Sequence, residues 1–265
     1  MRFAVFLVLA AFAAGAFHRG ASANVQLISK AEPVRVLTLG DSITAGVAAG
    51  GGKAENGGYR GTLGELLAQN GYHAVFVGTR DDYSADIENR AHDGWPGYVI
   101  RSFPADPGPG QLYGAVTKRA LQQTHPDIVL LMAGTNDLMR LERRVPGYTM
   151  GNVLHSMDLL LGEIFRVAPA VRVIVAPVVS SPRVSAGTVA VFDGDLPAIV
   201  NAFAKRGYRI TLAAAMQGAV PRDAAHFPDG IHPSADGGYA DIARVWLHAI
   251  ERVTGTSKAV PVAEH

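Results

Sequence analysis

Three short stretches of the chain carry residue types that together can activate a hydroxyl group. "GDSIT" (40–44) places Ser42 directly after the apolar run "VLTL". "DGIH" (229–232) sets Asp229 three residues ahead of His232, and "GTND" (134–137) places Asn136 after the run "DIVLLMA". A serine hydroxyl is a weak nucleophile until a base removes its proton. His232 is the candidate base, because an imidazole ordinarily exchanges protons near neutrality. Asp229 would accept from the other ring nitrogen, fixing the tautomer and stabilising the imidazolium. Only Gly230 and Ile231 separate the acid from the base, so one tight loop can carry both.

Attack by such a serine on an ester makes an oxyanion, which needs donors already in place. The Ser42 N–H, the Asn136 side-chain amide and a glycine N–H from "HDGWPGY" (92–98) are the candidates, and that stretch offers Gly94 and Gly97. A glycine suits the role because no side chain blocks the substrate oxygen. His226 is a competing base and reads as a rim or structural histidine. Asp41 and Asp137 could form a carboxylate pair for glycoside or metal chemistry, but both read as helix caps or loop-backbone acceptors. No histidine pair has metal-ligand spacing, so neither a metal nor a cofactor is expected.

Elements must carry these residues to one place. Five apolar segments, 34–39, 74–77, 128–133, 171–177 and 208–212, are rich in β-branched residues. Four are continuous runs, as parallel strands covered on both faces require, whereas 208–212 alternates and is expected at an edge. Helical spacing occupies 61–70, 114–124, 151–167, 196–205 and 238–253, with surface loops at 48–58, 103–110 and 180–195. The alternation predicts an α/β fold: a single doubly wound, five-stranded parallel sheet with helices on both faces. Ligands of such sheets bind beyond the carboxyl ends of the strands, where the three stretches fall. The glycine-rich "GVAAGGGKA" is not a phosphate loop, since Val47 and Ala54 stand where that motif needs glycine and a hydroxyl.

"GDSIT", "HDGWPGY", "GTND" and "DGIH", in this order, resemble the four blocks of the SGNH hydrolases, the GDSL-type esterases. The blocks span residues 40 to 232, and Ile43 replaces the leucine of "GDSL". The second block is most similar to that of the acetylxylan-esterase branch, carbohydrate esterase family three, and "GGYRGTLGELLAQNGYHAVFVGTR" adds to the likeness. The resemblance implies a flavodoxin-like SGNH hydrolase fold. It also implies Ser42, Asp229 and His232 as the catalytic set, and Ser42, Gly97 and Asn136 as the oxyanion hole. Gly97 is preferred to Gly94 because the family block places the donor at its second glycine. Trp95, Tyr98 and Tyr59 are candidates to line an acyl or sugar pocket, with rim packing as the alternative.

Composition bounds the remaining choices. With 265 residues, 48% of them hydrophobic and 18% charged, the chain can bury a large core. Zero cysteines exclude thiol nucleophiles and cysteine-held zinc. "MRFAVFLVLAAFAAGAF" followed by "HRGASA" has the basic start, apolar run and small-residue site of a signal peptide, residues 1–23. The hydrolase domain is then expected over 24–253 and a loose tail over 254–265. Without residues 1–23 the charge is 22 basic against 23 acidic, which suggests neither nucleic acid nor a membrane surface as partner. The expectation is a secreted or periplasmic serine esterase removing short acyl groups, acetyl foremost, from small-molecule or polysaccharide esters. The alternatives are a lysophospholipase- or thioesterase-type esterase with the same site, and a non-catalytic carbohydrate-binding protein on the same fold.

Overall fold

A computed structural model describes residues 33–84, 87–106 and 108–254. The expected signal peptide lies outside the described residues, as does the expected tail apart from Thr254. Strands β1 (Val34–Gly40), β2 (Ala74–Val77), β3 (Asp93–Gly94), β4 (Ile128–Met132), β5 (Arg172–Val175) and β6 (Ile210–Leu212) form one parallel sheet. The order is β2-β1-β4-β5-β6, with the alternating segment at an edge as expected.

The five expected strands are joined by a sixth, β3. It pairs with the upper half of β1, Leu39 with Asp93 and Gly40 with Gly94, while β2 pairs with the lower half. Between β2 and β3 the chain leaves the sheet and returns through a neck where Arg80 and His92 exchange both backbone hydrogen bonds. Two residues cannot carry a periodicity, so β3 has no signature of its own.

Side-chain alternation along the strands builds a core on each face. Leu37, Leu39, Val129, Leu131, Val173 and Val175 face one way, against α3 (Ala115–Thr124), α5 (Met150–Val167) and α6 (Ala186–Lys205). Val36, Ile128, Leu130, Met132 and Ile174 face the other, against α2 (Tyr59–Gln69) and α7 (Ala240–Thr254). Burying each such side chain contributes roughly 1.5–3 kcal/mol, and the sequence fills both layers without a gap in the central strands. Two shorter helices follow β1 and β4 directly: α1 (Ser42–Ala45) and α4 (Thr135–Glu142).

The loop expected over 180–195 is corrected. Helix α6 begins at Ala186, capped by the Ser185 hydroxyl, which accepts from Thr188 N–H. Val189, Phe192, Asp193 and Leu196 recur on its buried face. Gly187, Gly194 and Pro197 look like helix breakers in the sequence, but core contacts outweigh their propensity cost. Helix α7 also runs one residue beyond its expected end, to a buried Thr254.

Candidate active site

Strand β1 ends at Gly40, and the chain turns at once into α1. The Asp41 carboxylate caps this short helix by accepting from Ile43 N–H at 3.0 Å, so Ser42 becomes its first residue with its own N–H unpaired inside the helix. Beneath it lies Arg60, on α2 and wholly buried. Its guanidinium donates to Thr44 O and Ala45 O of α1, and to Ser84 Oγ and Arg90 O of the segment leading to β3. Burial pulls its pKa down to about 10, so it remains a cation solvated by carbonyls. The turn that presents Ser42 is thus fastened from below.

His232 reaches Ser42 from the loop that precedes α7. Its Nε2 lies 3.1 Å from Ser42 Oγ, and its Nδ1 lies 2.7 Å from Asp229 Oδ2. The other carboxylate oxygen, Oδ1, accepts from the backbone N–H groups of Ile231 at 2.9 Å and His232 at 2.8 Å. Burial would raise the Asp229 pKa, but these hydrogen bonds and the imidazole outweigh it and bring the pKa to about 2. With Nδ1–H directed at the carboxylate, Nε2 is left to accept the serine proton. The loop is tied down by Arg183, whose side chain donates to Asp229 O and whose N–H donates to Gly230 O. The three residues, 190 positions apart at the extremes, meet in one relay.

Asn136 is the second residue of α4, just past the end of the strand neighbouring β1. Its Nδ2 donates to Tyr98 O at 2.9 Å, which orients the amide and leaves its second hydrogen without a partner among the described residues. Asp137, fully buried, accepts from Ile100 N–H and so clamps the following stretch to α4. Burial pushes Asp137 up to about 8 and Asp41 up to about 6. Both acids behave as the sequence suggested, as a cap and a loop-backbone acceptor. Among the described residues no cluster of His, Asp or Glu has the arrangement of a metal site.

The two glycines of the second block separate cleanly. Gly94 N–H donates to His92 Nδ1 at 3.0 Å, and a Cβ there would sit 2.2 Å from Ala45 N. Its job is close packing of β3 on α1. Gly97 has φ +78°, a half-buried position, and an N–H with no partner among the described residues. Of the two, only Gly97 has a donor to offer.

Other expectations change. Tyr59 does not line a pocket: it is wholly buried, its hydroxyl donates to Thr44 Oγ1 at 3.3 Å, and its ring packs on Trp246. Trp95 is half-buried, held by its indole N–H on Asp93 and its backbone N–H on Gly40 O, with the Arg80 guanidinium 4.3 Å over the ring. Tyr98 packs 5.1 Å from it. His226 pairs with Asp223 at 2.7 Å, and the imidazole on Ser42 belongs to His232. A contact absent from the sequence reading is Gly50 N–H, from the glycine-rich loop, 3.3 Å from Asp229 Oδ2.

The arrangement allows the Ser42 hydroxyl proton to pass to the His232 imidazole, and the N–H groups of Ser42 and Gly97 and one Asn136 amide hydrogen are without partners among the described residues. Known proteins share its frame. A family 3 carbohydrate esterase from Clostridium thermocellum is 24% identical, with a TM-score of 0.64 over 86% of this chain and 100% of that one. A family 3 carbohydrate esterase from Talaromyces cellulolyticus is 22% identical, with a TM-score of 0.64 over 85% and 100%. These likenesses establish the fold. A multidomain esterase of Ruminococcus flavefaciens is 29% identical over an alignment of 245 residues that covers 85% of this chain and 29% of that protein. The chain therefore spans less than a third of that relative's length. The model of the GDSL-like lipase/acylhydrolase family matches residues 38–239. That match covers most of the sheet and both the Ser42 and His232 loops, and the chain belongs to the GDSL-like lipase/acylhydrolase family of carboxylic ester hydrolases.

Proposed function

We propose that the chain is an exported serine esterase that removes short acyl groups, acetyl foremost, from carbohydrate. The observation that carries the chemistry is the continuous relay from Ser42 Oγ through His232 to Asp229. In the first step His232 Nε2 takes the hydroxyl proton as Oγ bonds to the ester carbon. The carbonyl electron pair moves onto its oxygen, which the N–H groups of Ser42 and Gly97 and the free Asn136 amide hydrogen receive. Collapse breaks the bond to the leaving oxygen, which takes the proton back from His232. Water then repeats the sequence on the acyl-serine, releasing the acid and restoring Ser42. Each step uses protons already held within the site, so no cofactor is required.

The carbohydrate substrate is supported by the carbohydrate esterases that share the fold, and the acetyl group by the likeness of "HDGWPGY" to the acetylxylan-esterase block. Export is supported by the composition of residues 1–23, and no helix among the described residues is long and apolar enough to cross a membrane. Ser42→Ala should leave the protein folded while p-nitrophenyl acetate hydrolysis falls by several orders of magnitude. A variant keeping most of its rate would remove Ser42 as nucleophile. Acid release from acetylated xylan, measured against long-chain esters, tests the substrate class, and covalent labelling by a fluorophosphonate separates an enzyme from a binding protein on the same fold.

A further inference from the structure

The relay leaves open how Asn136 and Gly97, which lie on different segments, keep their positions relative to one another. Arg140 stands one helical turn after Asn136 on α4. Its Nη1 donates to Asn136 O at 3.2 Å and its Nη2 to Gly97 O at 3.3 Å. Its Nε donates to Asp106 Oδ1 at 2.6 Å. The Arg140 side chain is 11% exposed and that of Asp106 only 3%. Asp106 is itself held: Gly108 N–H donates to it at 2.9 Å, and the hydroxyl of the buried Tyr148 donates to its second oxygen. The Tyr148 ring is fixed edge-on against Phe103, with centroids 4.9 Å apart.

We propose that Arg140 is a positioning residue of the oxyanion hole, locking the Gly97 peptide to the start of α4, with Asp106 and Tyr148 as its buttress. The inference rests on reading Asn136 and Gly97 as the oxyanion donors. Arg140 touches only the carbonyls of the donor residues and acts through them. A planar guanidinium suits the task because one rigid group must satisfy two carbonyls and a carboxylate in fixed directions, which a lysine ammonium cannot do at once. The role also separates binding from turnover. Oxyanion donors act most on the charge that develops in the transition state, so disturbing them lowers kcat and leaves KM nearly unchanged.

The test compares Arg140→Lys, the charge-removing pair Arg140→Met with Asp106→Asn, and Tyr148→Phe, each checked for native circular dichroism. Kinetics on p-nitrophenyl acetate and affinity for phenylboronic acid, whose boron becomes tetrahedral on a serine oxygen, are measured for each. Loss of a whole donor costs about 10²–10³-fold, so a displaced one in Arg140→Lys should cost about 10–100-fold in kcat with KM within about twofold. Boronate affinity should fall in step. Tyr148→Phe, which removes only the buttressing hydroxyl, should lower kcat a few-fold. In an Asn136→Ala background, Arg140→Lys should cost clearly less than it does in the wild type, because one of the two donors it positions is gone while Gly97 remains. Folded Arg140 variants that keep kcat, or whose losses multiply in full with Asn136→Ala, would overturn the proposal. If Asn136→Ala itself keeps the wild-type rate, the oxyanion reading fails first and takes this inference with it.

Discussion

Replacing Asp229 by asparagine should be more damaging than replacing it by alanine, although asparagine is nearly the same shape. The reason lies in what surrounds each carboxylate oxygen. Oδ1 accepts from two backbone N–H groups, at 2.9 and 2.8 Å. Oδ2 faces His232 Nδ1 at 2.7 Å and Gly50 N–H at 3.3 Å. An asparagine must keep its carbonyl at the first position, since an NH2 there would confront two donors. Its NH2 then points at Nδ1 and forces that nitrogen to accept, which puts the ring proton on Nε2, facing Ser42. An imidazole in that tautomer cannot take the serine proton. Alanine imposes no tautomer; it gives up the backbone contacts of the loop and, at the imidazole, the attraction of carboxylate for imidazolium. At about 4 Å and an effective dielectric of about 20 that attraction is about 4 kcal/mol. The Asp229 side chain is 25% exposed and that of His232 14%, so solvent reduces it. About 2–3 kcal/mol remains, or roughly 10²-fold in rate. A wrong-tautomer asparagine in such a relay costs about 10⁴-fold. Steady-state kcat/KM for p-nitrophenyl acetate at pH 8, on both folded variants, decides the order. Equal activity, or an asparagine variant faster than the alanine one, would refute the hydrogen-bond argument.

The glycines of the second block should part company. Gly94→Ala drives a Cβ to within 2.2 Å of Ala45 N and should abolish soluble folded protein, whereas Gly97→Ala costs about 1–2 kcal/mol at its positive φ, stays folded and loses turnover. Arg60→Met strips partners from at least three carbonyls at about 1–3 kcal/mol each, so differential scanning calorimetry should record a Tm lower by about 6–12 °C or more. The buried Asp193 carboxyl, whose Oδ1 accepts from Val178 N–H, is pushed up to about 7 by burial. From about pH 4 to 7 the folded protein therefore holds a proton that the unfolded chain has released, and stability must fall as pH rises through that window. Asp193→Asn keeps the acceptor without the titration, so its Tm should match wild type near pH 4, exceed it at pH 8 and vary less between. A wild-type-like slope would contradict the assignment.

Much of the frame could be read from residues alone because the central strands are apolar on both faces. Buried parallel strands leave that signature wherever they occur, and Val36–Leu39 and Ile128–Met132 need no other clue. The meeting of Ser42, His232 and Asp229 follows from a different cue: Ser42 comes directly after β1, and Asp229 and His232 share one short loop ahead of α7. What escaped depends on contacts between segments distant in sequence. Nothing in the sequence around Arg140 announces Asp106 or the Gly97 carbonyl, and the glycine-rich loop shows its link to Asp229 only once folded. The place of Tyr59 beside a motif does not say which face of α2 it occupies; packing on Trp246 decides that. The early start of α6 was hidden by two glycines and a proline whose local preference the core overrides.

The relay between Ser42 and His232 spans most of the chain, and His232 sits just ahead of α7, which packs across α2. During synthesis the proposed nucleophile emerges long before its proposed base, so on this reading a growing chain that lacks His232 has nothing with which to cut an ester. Regain of hydrolysis after dilution from denaturant would time the docking of α7 on α2, a contact between segments far apart in the sequence and so among the slow ones to form.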